Sequence, residues 1–229
     1  MKIVLAGAGT AGHIEPALAV ADAWRKEFPK CEFEFVGTMA GLENILVSGA
    51  GFKLTTIPKV TLPRSLTLAG LLAPIRFGQA LSKSLNIVSG AKCVIGFGGY
   101  VSAPIYLAAA LRRIPFVIHE ANAIPGWANK FGAFLGGAMA VGKPVKAGKF
   151  RGAEVVGLPL KPAISAALEI AKSDWPAARS AAKDKLGIKS GKPVLLIMGG
   201  SQGSAAINSI VSSALSILLT EFQVLHSIG

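Results

Sequence analysis

Acidic residues are scarce in this chain: 12 Asp and Glu stand against 24 Lys and Arg, a formal charge of +12 over 229 residues. Charge of either sign is thin, at 16% of residues against 52% apolar, which excludes a disordered polyelectrolyte and supports a sizeable core. Cysteine is almost missing. Cys31 and Cys93 lie far apart in apolar runs, so no disulfide framework or close-spaced metal motif is available, no metal is expected, and two thiols in a reducing compartment are the expected state. No secretory leader is expected, because Lys2 and Ile3-Val4-Leu5-Ala6 lead at once into glycines, His13 and Glu15. No membrane span is expected either. The uncharged run from Val94 to Leu111 is interrupted by Gly96, Gly98, Gly99 and Pro104, and reads as a strand, a turn and a helix. Basic-aromatic RNA motifs, zinc spacings and helix-turn-helix patterns are lacking, so nucleic acid is not an expected partner. What remains for the surplus positive charge is a phosphorylated substrate or an anionic membrane surface.

Glycine is what the chain has in plenty, and it is clustered. The stretch Gly7-Ala8-Gly9-Thr10-Ala11-Gly12-His13-Ile14-Glu15-Pro16 follows a short apolar run and precedes an Ala-rich helical pattern, Ala17 to Glu27. A strand, a glycine turn and a helix start in that order bring unpaired backbone N–H groups and the positive end of a helix dipole to one pocket, which suits a phosphate or an oxyanion. Glycine also lets a ligand approach without a Cβ in the way. Gly96-Phe97-Gly98-Gly99-Tyr100 and Gly199-Gly200-Ser201-Gln202-Gly203 repeat the arrangement, each between a strand-like and a helix-like run.

Periodicity places strands at Ile3–Ala6, Cys31–Val36, Phe52–Ile57, Cys93–Gly96, Pro115–His119, Ala138–Val141 and Glu154–Val156. Helical patterns fall between them: one from near Leu42, one over Pro63–Ser89 that Pro74 should kink or divide, Ser102–Arg112 and Pro125–Phe134. This alternation predicts an α/β fold with a parallel, doubly wound sheet. Gly157-Leu158-Pro159-Leu160-Lys161-Pro162 reads as a linker. After it come a polar helical stretch to Leu186, the strand Val194–Met198, the helix Ser204–Leu219 and the strand Phe222–His226. Domains are therefore expected at 1–157 and 158–229. Two parallel strands cannot bury both faces of a sheet, so the second unit reads as the start of a domain and the chain as part of a longer protein, inactive alone.

Gly7, Gly9 and Gly12 spell G-x-G-x-x-G, the dinucleotide fingerprint, which asks for an acidic residue at the end of the second strand. That strand ends Phe35-Val36-Gly37-Thr38, and Glu32 and Glu34 come too early, which argues against a nicotinamide enzyme. A different resemblance covers essentially the whole chain. Gly7 to Ala19, Val36-Gly37-Thr38 with Gly41-Leu42-Glu43, Gly96 to Pro104, His119-Glu120-Ala121-Asn122-Ala123-Ile124-Pro125-Gly126 and Gly199 to Gly203 resemble, in order, the MurG family of peptidoglycan N-acetylglucosaminyltransferases.

The resemblance implies a GT-B fold: a first Rossmann-like domain for a lipid-linked acceptor and a second that mainly holds a UDP-sugar, with no cofactor. It implies an inverting hexosyltransferase that moves N-acetylglucosamine from UDP-N-acetylglucosamine to the C4 hydroxyl of lipid I, an undecaprenyl-pyrophosphoryl muramyl-pentapeptide, giving lipid II. The enzyme would be peripheral, at the cytoplasmic face of the plasma membrane. Such chemistry needs a base for the acceptor proton, donors for the UDP leaving group and in-line substrates. His13 is the first candidate base, since imidazole titrates near neutrality, although its ring could merely order the turn or contact a phosphate. Glu120 is the second, although it could equally bind backbone amides. Thr10, Ala11, Gly12, His13, Tyr100 and Lys161 would be substrate-binding, and Gly98 and Gly99 would admit the acceptor pyrophosphate or form a plain strand-to-helix turn. Asn122 would contact the transferred sugar, and Ser201 and Gln202 the donor's phosphates and sugar. Ser201 could instead cap the following helix.

The sequence departs from that family at Ala8 and Ala11, where glycine is usual, at Ala121, where glutamine is usual, and at Lys161 in place of arginine. If Ala8 or Ala11 needed a positive φ, it would cost about 1–2 kcal/mol. Leu68, Leu71, Leu72, Ile75 and Phe77, with Arg64, Arg76 and Lys83 around them, form a candidate membrane face. Lys143, Lys146, Lys149 and Arg151 around Phe150 form a second basic cluster. A non-catalytic phosphate- or membrane-binding module is the alternative function, and a nucleotide-dependent oxidoreductase a weaker one.

Overall fold

A computed structural model of the chain describes residues 1–59, 73–146, 148–188, 191–200 and 203–229. These residues divide into two compact units, Met1–Pro162 and Ala163–Gly229.

The first unit alternates strand and helix: β1 Lys2–Ala6, α1 Ala11–Glu27, β2 Glu32–Gly37, α2 Glu43–Gly49, β3 Lys53–Thr56, α3 Ala73–Ile87, β4 Ala91–Gly96, α4 Ser102–Leu111, β5 Phe116–Glu120, α5 Trp127–Phe134, β6 Ala138–Val141 and β7 Glu154–Val155. All strand pairs are parallel, in the order β3-β2-β1-β4-β5-β6-β7. The central strands are buried on both sides, as a parallel sheet covered by helices requires. In β1, Val4 and Ala6 enter the core with Ile105, Tyr106 and Ile118, while Ile3 and Leu5 enter the other with Ile14, Leu18 and Phe35. The chain moves outward from β1 to β2 and β3, then returns to the other side of β1 at β4. The order therefore reverses between β1 and β4, and in an open α/β sheet the crevice at that reversal is where ligands bind.

The helix after β1 starts at Ala11, six residues before the apolar pattern suggested. Its first turn carries Gly12 and His13 and faces the strand ends, so the core-facing period that marks a helix in sequence begins only at Ile14. Pro74 is the second described residue of α3, and the part of the expected helix ahead of Ala73 lies outside the described residues.

The second unit consists of α6 Pro162–Ser173, which begins at the boundary, α7 Trp175–Lys185, β8 Val194–Met198, α8 Ala205–Glu221 and β9 Gln223–Ser227, with β8 and β9 parallel. The polar stretch expected as one helix is two, because Asp174 caps α7 by accepting from the Ala177 amide at 3.0 Å and Pro176 favours a fresh start. Leu196, Met198, Ile210 and Ile217 are exposed, as two strands with helices on few sides must leave them. Among the described residues no helix is long and apolar enough to cross a membrane.

Candidate functional site

The corner after β1 and the corner after β4 meet at the reversal point. Their glycines are what allows it. A Cβ on Gly7 would lie 2.6 Å from the His13 carbonyl, and one on Gly99 (φ +80°) 2.4 Å from the Ala8 carbonyl. Gly9 (φ +94°) leaves room for the Tyr100 hydroxyl, and Gly98 (φ +94°) for the His13 ring, whose Nε2 would stand 3.1 Å from an added Cβ. Gly12, by contrast, faces open space, with nothing nearer than the Thr10 hydroxyl at 3.8 Å. Ala8 and Ala11 carry no strain: Arg113 is the one non-glycine at positive φ among the described residues.

Thr10, Ala11 and Gly12 at the start of α1, and Gly98, Gly99 and Tyr100 ahead of α4, offer backbone amides that take no acceptor among the described residues. Gly9 does not. Its amide donates to Oε2 of Glu43 at 3.3 Å, while Oε1 of that carboxylate accepts from the amide and hydroxyl of Thr38, each at 2.8 Å. Glu43 is fully buried and ties the β2–α2 corner to the β1–α1 corner. The sequence offered Glu43 as part of a motif, without a role, because its partners are distant in sequence.

Burial works against the Glu43 charge, yet the hydrogen bonds from Thr38 and Gly9 outweigh it and hold the carboxyl below its ordinary value. Glu34 is also depressed against burial, by Lys2 at 2.7 Å, Thr55 at 2.5 Å and Lys53 at 3.1 Å. A folded-state pKa below the unfolded one contributes stability that is complete above the unfolded pKa, near 4.3, and is lost as pH falls through the folded one. Denaturant unfolding followed from about pH 5 down to pH 3 should therefore show a falling midpoint, with a shallower fall in Glu34→Gln.

His13, half-buried in the first turn of α1, directs Nδ1 to the Ala8 carbonyl at 3.1 Å, with the Thr10 hydroxyl at 3.3 Å. A carbonyl can only accept, so Nδ1 carries a proton, and the neutral ring then has its lone pair on Nε2, on the Gly98 side. Glu120, at the end of β5 and 2% exposed, has both oxygens occupied. Oε1 accepts from the Asn122 amide and from Asn122 Nδ2, each at 2.8 Å, and Oε2 from the Gly126 amide at 2.9 Å and Asn129 Nδ2 at 3.0 Å. This carboxylate holds the β5–α5 corner in shape and presents the exposed Asn122. Behind it, Asn129 accepts from the Tyr106 hydroxyl at 2.9 Å, and burial pushes that phenol well above its ordinary value. Asn129 and Tyr106 carry no sequence signal as site residues, since each sits at an ordinary core position of its helix. The Ser102 hydroxyl closes the second corner onto the Gly98 carbonyl at 2.8 Å.

Lys161 pairs with Glu15 of α1 at 2.7 Å, and His119 Nε2 donates to the Gly157 carbonyl at 3.0 Å, so the linker end is fastened to the first unit. Of the membrane set, Ile75 and Arg76 are exposed, but Phe77 packs against the core, and Lys83 lines a cavity with Tyr100. Arg64, Leu68, Leu71 and Leu72 lie outside the described residues, as do Ser201 and Gln202. In the third corner, Gly200 and Gly203 take positive φ, and the cap of α8 is Ser204, whose hydroxyl accepts from the Ile207 amide at 3.4 Å. Among the described residues no group of acidic, His and Cys side chains could hold a metal.

Gly12 gives a direct test of the corner as an anion site. With nothing behind its Cα, Gly12→Ala should raise stability by about 0.5–1 kcal/mol through helix propensity while weakening pyrophosphate binding, because the methyl group stands where the ligand would approach. Thermal melts and calorimetric titration with pyrophosphate read the two effects separately.

A parallel doubly wound sheet whose amide-rich corners meet at the reversal point, followed by a second βαβ unit, is a Rossmann-like arrangement of GT-B type. The chain belongs to glycosyltransferase family 28, whose N-terminal domain matches residues 3–140. It is 46% identical over its whole length to the UDP-N-acetylglucosamine–N-acetylmuramyl-(pentapeptide) pyrophosphoryl-undecaprenol N-acetylglucosamine transferase of Frankia casuarinae, and 45% identical to that of Thermobifida fusca, covering 60% and 59% of those proteins. Among solved structures it is similar to Acinetobacter baumannii MurG, with a TM-score of 0.67 and 26% identity over all of this chain and 60% of that one. A UDP-GlcNAc 2-epimerase from Neisseria meningitidis, at 15% identity and a TM-score of 0.58, shares the fold over all of this chain and 66% of its own. The chain thus spans about 60% of the length of the relatives it matches.

Proposed function

We propose that the protein acts in the transfer of N-acetylglucosamine, with inversion, from UDP-N-acetylglucosamine to the C4 hydroxyl of an undecaprenyl-pyrophosphoryl muramyl-pentapeptide. The observation that carries this reading is the meeting of two amide-bearing corners around His13, in a chain whose relatives are named for that reaction. In this reading Thr10, Ala11, Gly12, Gly98 and Gly99 receive the acceptor's pyrophosphate on free amides and the dipoles of α1 and α4. His13 takes the hydroxyl proton on Nε2 while the Ala8 carbonyl holds Nδ1–H and fixes the ring. Glu120 is a positioning residue that sets Asn122 toward the transferred sugar. Ser201 and Gln202 meet the donor, and Lys161 acts through the linker. The 1–157 part carries the acceptor and 158–229 begins the donor side.

A lipid-linked acceptor places the enzyme on the cytoplasmic face of the plasma membrane, held by apolar residues among cations. Ile75 is exposed beside Arg76, and Ile124 is exposed on a cavity lined by Lys130, Lys146 and Lys149. The test is a transfer assay with labelled UDP-N-acetylglucosamine and a lipid-linked muramyl acceptor, on a protein that contains this chain. A product with an inverted anomeric centre is the expected result. Hydrolysis of the donor without acceptor glycosylation would overturn the proposal.

A further inference from the structure

Next to the meeting corners lies a cavity of about 380 Å³ that the proposed chemistry does not use. It sits at the C-terminal ends of β1, β2 and β3, and its lining includes Gly9, Thr38, Thr56, Lys59, Lys83 and Tyr100. Two lysines line it, and no carboxylate does among the described residues. Lys59 Nζ stands 4.8 Å from the centre of the Tyr100 ring, a cation–π contact that holds the charge at the wall without neutralising it. Lys83 has no acidic partner among the described residues. Two unneutralised cations on one concave, partly apolar surface mark a place for an anion with a carbon body.

Which anion is decided by what the cavity lacks. The pyrophosphate-facing corners work through free amides, whereas here the Gly9 amide is already taken by Glu43. The Thr38 hydroxyl is likewise spent on Glu43, so the side-chain donors left are the two lysines and the hydroxyls of Thr56 and Tyr100, point donors that can each meet one carboxylate oxygen. Glu43, bonded to the amides of Gly9 and Thr38 in the cavity wall, is a fixed negative charge behind it that opposes a dianionic phosphate more than a monoanion. Ile57 and Pro58 supply an apolar wall for small side chains.

We propose that this cavity is a subsite for the carboxylate-bearing peptide arm of the acceptor. The inference rests on the transferase reading, and gives that reading a second point of acceptor contact beside the pyrophosphate corner. Soluble N-acetylmuramyl-pentapeptide, free of phosphate, is the probe, compared with the same molecule carrying amidated carboxyls, by calorimetric titration at low ionic strength. The unmodified chain should bind the carboxylate form about five- to tenfold more tightly, as two partly exposed charge pairs allow. In the double variant Lys59→Met, Lys83→Met the carboxylate form should fall to the affinity of the amide, with inorganic pyrophosphate binding unchanged. Equal binding of the two peptide forms by the unmodified chain would overturn the subsite, whether or not the variant folds, as would a folded double variant that keeps the preference or loses pyrophosphate as well. Failure of the unmodified chain to bind pyrophosphate would instead remove the transferase reading, so the two failures are distinguishable.

Discussion

His13→Ala should lower turnover by about 10²-fold or more in a protein that contains this chain, the range expected when a general base is removed. The ring has two nitrogens with separate duties. Nδ1 is held by the Ala8 carbonyl at 3.1 Å, which is a structural task, and Nε2, on the Gly98 side, is the nitrogen that the proposed base would use. His13→Asn separates them, because the asparagine amide can still donate toward Ala8 but has no basic nitrogen at the Nε2 position. We expect the asparagine variant to melt with the parent and to lose turnover as the alanine variant does. If it retains near-parental turnover, His13 only orders the corner. A loss of tenfold corresponds to about 1.4 kcal/mol of barrier, so the expected effect is close to 3 kcal/mol, well beyond a surface contact.

Gly99→Ala should be strongly damaging, because it combines a backbone clash with a left-handed backbone. Gly99 has φ +80°, where an L-residue pays about 1–2 kcal/mol, and its Cβ would lie 2.4 Å from the Ala8 carbonyl, so the two corners would have to part. Gly90 provides the control: its φ is +73° and nothing stands within 4 Å of an added Cβ. Hydrogen exchange at the Val4 and Ile95 amides should show a loss of about 1 kcal/mol in Gly90→Ala and at least twice that in Gly99→Ala. Equal losses would mean that the corners are not rigidly interlocked. Exchange at these amides reads the strands that lead into the two corners directly.

Much of the fold was legible because its signals are local. Apolar runs such as Ile3–Ala6 and Val94–Gly96 are strands in the structure, and the alternation with helices led directly to the parallel sheet. Helix boundaries were less legible where the first turn buries no apolar side chain, as at Ala11, or where a cap divides a polar stretch, as at Asp174. The candidate site was legible in part. Gly7, Gly9, Gly98, Gly99, His13 and Glu120 stood out by residue type, but type could not separate a free carboxylate from one already bonded. Four hydrogen bonds make Glu120 a scaffold for Asn122, and Glu43, which looked ordinary, is the carboxylate that claims the Gly9 amide.

By itself the sequence determined the fold class, the family, and the places where the backbone must turn without a side chain, because each depends on the order of residue types along the chain. Only the tertiary structure decided that the first two glycine corners share one junction, which nitrogen of His13 is committed, and that Lys59, Lys83 and Tyr100 line a common cavity. Those depend on strand order. The reversal between β1 and β4 brings Gly9 to Tyr100 and His13 to Gly98 across some 90 residues, a separation at which no periodicity or spacing carries information.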